Sequence, residues 1–329
     1  MKPKFNVWIS DGNICNVDEK YGAPAPYFRK LFKAEGVKSA TLYITAQGVF
    51  KAYLNGKELL EDRLQPEWTD YSKSLNYVKY DITEKIEDIN CLGVILGNGW
   101  FCGTVGLLNV RANYAKVPSF SAELHLLDKN GKTVVISTDE SWLTATGKII
   151  YNDILHGEYH DFNRDLGDFS SVAYNGASFV ASVISAPYGK ILREHTAEKI
   201  SLQEIFEGKK IVCEKDYEIY DFGQNFAGIP IVRVSGEKGT KIRLRFGEML
   251  DGSTLYTANL REAEATDYMV LSGEEDVFEP LFTFHGFRYM EVAAISGKCE
   301  ICGVSARALY SNLSRTGSFE CDNPLINKI

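Results

Sequence analysis

The chain has 329 residues, 45% of them hydrophobic and 24% charged, with a formal net charge of −8. That length suits about two domains, each able to bury its own core, and an acidic balance without lysine clusters argues against a nucleic-acid surface. No run approaches the roughly 20 apolar residues of a membrane helix, and the opening Met1-Lys-Pro-Lys-Phe-Asn-Val-Trp8 carries no apolar signal segment, which points to the cytoplasm.

From the N-terminus onward, short runs of Val, Ile, Tyr, Phe and Thr alternate with Gly, Asn and Asp turns, the pattern of an all-β chain. Strands are expected at residues 39–46, 49–54, 92–96, 120–127 and 132–137, with Asn55-Gly56 and Asn130-Gly131 as hairpin turns of type I′. Residues 81–87 offer one or two helical turns. Residues 165–190 are dense in Gly, Ser and Ala and lack alternation, so they read as a connecting segment. Strands resume at 217–222, 229–235, 241–248, 265–271, 278–284 and 289–294. The expected architecture is two consecutive antiparallel, jelly-roll-like β-sandwiches, 1–164 and 191–318. Residues 319–329 then read as the start of a helix, with Asn323 as N-cap, Pro324 at the first helical position and Leu325, Ile326 and Ile329 opening an apolar stripe. A stub that short is marginal alone, so a helical domain is expected to follow it.

Seven cysteines, at 15, 91, 102, 213, 299, 302 and 321, are scattered and odd in number, unlike a secreted disulfide framework. Cys299-Glu-Ile-Cys302 has redox or zinc spacing. It lies in a β run, however, where i and i+3 point to opposite faces, so buried or half-buried free thiols are expected.

Two loops of the first half carry sugar-binding chemistry. Gln65-Pro-Glu-Trp-Thr-Asp-Tyr71 and Leu96-Gly-Asn-Gly-Trp-Phe-Cys-Gly103 supply Trp68, Asp70, Asn98 and Trp100, an apolar platform with fixed polar groups. The alternative is that the tryptophans are core residues and Asp70 caps a turn. Asn113-Tyr-Ala-Lys-Val-Pro118 is a polar loop with the hard oxygens calcium takes, or simply a turn. His156-Gly-Glu-Tyr-His160-Asp161 reads either as a metal or acid–base cluster or as hydrogen bonding at a domain joint. In the second half, His285 and Arg288 of Phe284-His-Gly-Phe-Arg-Tyr289 suit an anion, or Arg288 pairs with a carboxylate such as Asp221. No nucleophile elbow, phosphate loop or dinucleotide fingerprint occurs, and no acid pair has a spacing that compels glycosidase work. No catalytic residue is therefore assigned.

Taken in order, several strings resemble the N-terminal part of the bacterial α-L-rhamnosidases of glycoside hydrolase family 78. They are Pro26-Tyr-Phe-Arg-Lys-Leu-Phe32, the Tyr53-Leu-Asn-Gly hairpin, Pro66-Glu-Trp-Thr-Asp-Tyr71, Gly97-Asn-Gly-Trp-Phe-Cys-Gly103, Gly157-Glu-Tyr-His-Asp161, Asp221-Phe-Gly-Gln-Asn225 and Phe284-His-Gly-Phe-Arg-Tyr289. The resemblance implies two β-domains ahead of an (α/α)6 barrel, whose carboxylates hydrolyse terminal α-L-rhamnosides with inversion. The barrel's catalytic stretch is absent from this sequence, so these 329 residues are expected to be inactive alone. It also implies a rhamnose-binding first sandwich using calcium, matched here to Asp70, Asn113 and the Pro118 carbonyl. Gln224, Asn225, His285 and Arg288 are the expected docking face for the barrel. The competing expectation is a stand-alone carbohydrate-binding or interaction module with no linked hydrolase.

Overall fold

The computed structural model describes residues 2–12, 18–106, 108–176 and 179–328; Cys15 and Ile329 lie outside them. The chain is nearly all β. One sheet of the first sandwich runs, in spatial order, Val183–Ser185, Trp8–Ser10, Ser119–Asp128, Val37–Gln47, Ser74–Asp81 and Ile191–Glu194, with Thr133–Ser137 also pairing Ser119–Asp128. The facing sheet runs Val180–Ala181, Leu143–Thr146, Pro26–Lys33, Ile89–Gly97, Val49–Leu54 and Lys57–Glu58. Period-2 alternation puts Ala40, Leu42, Ile44 and Ala46 on the inner face of one sheet, against Phe28, Leu92, Val94 and Leu96 of the other. Phe120 and Trp142 close that core with their rings edge to face at 5.3 Å.

The second unit is built on one long strand, Glu218–Gly236. Its first half pairs with His285–Ser296 and Lys209–Cys213. After an irregularity between Asp221 and Phe226, its second half pairs with Cys299–Ser311 and Glu275–Phe278. The strand keeps its pairing with His285–Ser296 through the bulge as far as Gly228, and from Gly228 onward it pairs with Cys299–Ser311. Phe222, Phe226, Phe246 and Phe287 meet inside the fold, with centroid separations of 4.8 to 6.0 Å.

Pairing crosses the expected boundaries in both directions. The hairpin Ile149–Asp153 and Gly157–Asp161 joins the second unit's sheet, where Gly157–Asp161 runs parallel to the strand Thr266–Val270. Strands Val180–Ala181, Val183–Ser185 and Ile191–Glu194 form in and just after the stretch read as a connecting segment, where no strand is expected, and they pair back onto the first sandwich.

Local differences from the expected elements have physical causes. Asn55 and Gly56 both have positive φ, 52° and 84°, as a type I′ turn demands. At Asn130-Gly131 only Gly131 does, because Asp128 Oδ1 accepts the N–H groups of Asn130 and Lys132 and holds a longer loop. Residues 81–87 give a single 3-10 turn, Thr83–Lys85. Residues 279–284 are not a strand. Their N–H groups at Leu281 and Phe282 donate to the Glu158 carboxylate, at 3.0 and 2.8 Å, instead of to a neighbouring strand. Asn323 Oδ1 does accept the Leu325 N–H at 3.0 Å, but the turn it caps is 3-10, Ile326–Lys328. Cys299 is half-buried and Cys302 exposed, and both are free thiols.

Between the two units lies a third apolar cluster that draws on both, including Tyr27, Val49, Ile95 and Phe169 with Ile229, Phe282 and Leu309. Phe282 packs directly on Gly97, where an added Cβ would run into the ring. Gly97→Ala is therefore expected to cost about 1–3 kcal/mol of unfolding free energy through overpacking, read from the urea midpoint. Glu158, wholly buried, holds two backbone donors and His160 Nε2. Glu158→Ala strands all three and is expected to cost about 3–5 kcal/mol in the same measurement.

Candidate functional site

Three loops that are distant in sequence meet at one end of the first sandwich. Trp68 and Trp100 lie with centroids 5.9 Å apart and planes 10° from parallel. Beneath them Tyr71 meets Phe101 edge-on at 5.0 Å, and Tyr114 packs on both, at 5.2 and 5.3 Å. The Tyr188 hydroxyl donates to the Tyr71 carbonyl at 2.8 Å. Trp68 is 56% exposed, so a flat indole face remains open to solvent. Sequence reasoning misses Tyr71, Phe101 and Tyr188. Their only signal is that each sits one to three residues from a suspected site residue or, for Tyr188, in an apparent linker.

Asp70 is exposed, and each of its carboxylate oxygens is held in place. It accepts from the Ser72 N–H at 3.0 Å and from the Ser72 hydroxyl, and it pairs with Lys73 at 2.7 Å. The Lys73 ammonium and the Ser72 donors hold its carboxyl below the usual range, at about 2. Asn98 is buried, and its amide donates to the Asn152 carbonyl at 2.8 Å while its N–H donates to Asn152 Oδ1 at 2.7 Å. Its observed contacts fasten the Trp100 loop to the hairpin of the second unit. Asn113 Nδ2 donates to the Val110 carbonyl at 3.3 Å. Pro118 closes over Gly48, where an added Cβ would stand 3.0 Å from the proline Cβ.

Calcium takes six to eight hard oxygens. Asp70, Asn113 and Pro118 offer one carboxylate, already neutralised by Lys73, and two neutral oxygens. Among the described residues no group of three His, Cys, Asp or Glu side chains is placed to hold a metal. This donor set does not fit a calcium cage.

The His156–Asp161 cluster forms the joint. Asp153 accepts the N–H groups of Thr104, Leu155 and His156, at 2.7, 2.9 and 3.1 Å. Glu158 binds as described above, and Asp267 accepts the Glu158 N–H at 2.8 Å and pairs with His285 at 3.1 Å. Asp153, Glu158 and Asp267 are all 0% exposed. With Asp153, Glu158 and Asp267 committed to fixed donors, the cluster works as an anchor, while His156 Nδ1 and His160 Nδ1 are buried without a hydrogen-bond partner among the described residues.

Of the expected docking residues, His285 is buried against Phe246, the rings stacked at 4.0 Å. Arg288 makes a two-pronged pair with Asp221, at 2.8 and 2.9 Å, and holds the Asp221 carboxyl below its ordinary value. Gln224 and Asn225 are exposed on the same bend, Asn225 donating to Glu248 at 2.9 Å. The second unit therefore presents Gln224, Asn225 and Arg288 together, with His285 inside.

The depressed value at Asp70 has a definite sign. The carboxylate's favourable contacts are complete above the ordinary value of 3.8 and are lost only as pH falls through about 2. Carboxyl NMR titration is expected to place Asp70 near 2, and Lys73→Ala to move it up toward 3.8.

Comparison with known proteins gives two family matches: the alpha-L-rhamnosidase N-terminal domain over residues 35–204, and the bacterial alpha-L-rhamnosidase concanavalin-like domain over residues 212–310. An alpha-L-rhamnosidase of Streptomyces avermitilis is 34% identical over 306 residues, which is 89% of this chain and 29% of that protein. One from Formosa agariphila is 32% identical over 318 residues, 92% of this chain and 34% of that protein. The crystal structure of the Streptomyces avermitilis alpha-L-rhamnosidase complexed with L-rhamnose superposes with a TM-score of 0.86 at 33% identity, covering 93% of this chain and 30% of that one. That of the native Aspergillus terreus enzyme gives 0.87 at 31% identity, covering 98% and 38%. The chain thus spans about a third of the length of the curated relatives it matches. With both β-units matched in the family's own order, the chain belongs to the α-L-rhamnosidase family of glycoside hydrolase family 78.

Proposed function

We propose that this chain acts as the non-catalytic N-terminal part of an α-L-rhamnosidase, binding a terminal L-rhamnose on the first sandwich and supporting a helical catalytic barrel with the second. The observation that carries the sugar reading is the open indole face of Trp68, parallel to Trp100, in the same loop as Asp70. A deoxyhexose presents a methyl group and C–H faces to an aromatic ring and its hydroxyls to a fixed carboxylate. The Tyr71–Phe101–Tyr114 packing holds both parts before the sugar arrives, so little ordering cost remains. The relative crystallised with L-rhamnose makes that sugar the first probe.

Hydrolysis by inversion needs one acid and one base about 6.5–9.5 Å apart with room for water. Here the wholly buried carboxylates are consumed by backbone donors and histidines, so the chemistry belongs to the barrel. The bend carrying Gln224 and Asn225, with Arg288 of the neighbouring strand paired to Asp221, is the face we assign to that barrel.

Calorimetry with L-rhamnose is expected to show saturable heat, unchanged by a chelator, and a loss of about tenfold in affinity for Trp68→Ala. Absence of heat at roughly 10 mM sugar would overturn the binding role. Release of rhamnose from an aryl rhamnoside by these 329 residues alone would overturn the non-catalytic one.

A further inference from the structure

A second cleft, of about 270 Å³, opens where the hairpin of the joint meets the second unit's sheet. Its walls are tyrosines brought from four separate segments. Tyr21 stacks on Tyr151 at 4.5 Å and 20°, Tyr151 meets Tyr159 edge-on at 5.7 Å, and Tyr159 meets Tyr268 at 6.1 Å. Buried Met269 and exposed Lys241 complete the lining used here.

The cleft is built rather than incidental. Asp18 Oδ1 accepts the N–H groups of Lys20 and Tyr21, both at 2.8 Å, and so fixes the turn that carries Tyr21. Lys20 pairs with Glu264, and the Tyr21 hydroxyl donates to the same carboxylate at 3.4 Å, tying that turn to the second unit. The parallel pairing of Tyr159 with Tyr268 sets the opposite wall.

Its chemistry selects a class of ligand. The phenol hydroxyls of Tyr151, Tyr159 and Tyr268 have no hydrogen-bond partner among the described residues, and the Lys241 ammonium has no ion pair there. No carboxylate or amide side chain lines the cleft, so a saccharide would lack the paired, directional acceptors that fix vicinal hydroxyls. A planar ring, in contrast, can take offset or edge-on contacts from three sides. The volume falls just below the range of pockets that enclose drug-sized ligands, which suits a single ring.

We propose that this cleft binds a small aromatic carboxylate, its ring among Tyr151, Tyr159 and Tyr268 and its anionic group toward Lys241. The site is separate from the tryptophan platform and does not depend on the sugar-binding reading.

The test is an NMR titration of this chain with 4-hydroxycinnamate, its methyl ester and L-rhamnose. Saturable binding of the acid is expected, weakened about tenfold in Tyr159→Ala and severalfold in Lys241→Met or for the ester. L-rhamnose is expected not to displace the acid. Tyr159 is half-exposed and Lys241 exposed, so both variants are expected to fold, as checked by their unperturbed core methyl resonances. No saturation by roughly 10 mM acid would overturn the proposal. So would equal binding by wild type and both variants, equal binding of acid and ester, or displacement by L-rhamnose.

Discussion

The whole arrangement depends on a carboxylate buried between two β-units. Glu158 is removed from water, and that removal is tolerable only because two backbone N–H groups and an imidazole converge on it. The donors at Leu281 and Phe282 come from a segment that gives up strand pairing to reach it. Phe282 then lies over Gly97, and Gly97 immediately precedes the loop that carries Asn98 and Trp100. Asn98 in turn is tied to Asn152 on the same hairpin as Glu158. The joint and the tryptophan platform are therefore one connected structure, linked by covalent neighbours and by the two hydrogen bonds between Asn98 and Asn152.

This coupling explains why the histidine-rich string looks chemical and is architectural. His and acid side chains close in sequence are what a catalytic or metal site requires. They are also what a buried joint requires when a sheet edge must be satisfied by side chains instead of by another strand. The distinction lies in whether any carboxylate is left with an open lone pair facing a cavity. At Asp153, Glu158 and Asp267 the lone pairs meet fixed N–H donors.

Much of the fold is legible because period-2 alternation is a local signal: strands Val37–Gln47 and Val49–Leu54 fall where the pattern puts them. The long strand Glu218–Gly236 reads from sequence as two strands, since Gly223 and Asn225 resemble turn residues and only the long-range partners keep the strand continuous. The loss of strand at 279–284 and the sharing of hairpins between units are invisible for the same reason: both are decided by residues more than 100 positions away. At the platform, residue chemistry alone points to Trp68, Asp70 and Trp100. The rings that hold them, Tyr71, Phe101 and Tyr114, belong to ordinary packing, and only three-dimensional proximity gives them a role. Asn98 and His285 carry suitable functional groups and are buried.

The parallel pairing of Gly157–Asp161 with Thr266–Val270 has a temporal consequence. Tyr159 leaves the ribosome about 110 residues before Tyr268, its partner in register. At synthesis rates of about 5–20 residues per second, the hairpin waits roughly 5–20 s with Gly157–Asp161 unpaired on that side. During that interval the nascent first unit exposes a strand edge and the apolar side of the joint to whatever surrounds it. Its edge is covered only once the strand ending at residue 270 has emerged, so the two units become secure together, and a later stretch of synthesis stabilises a surface made much earlier.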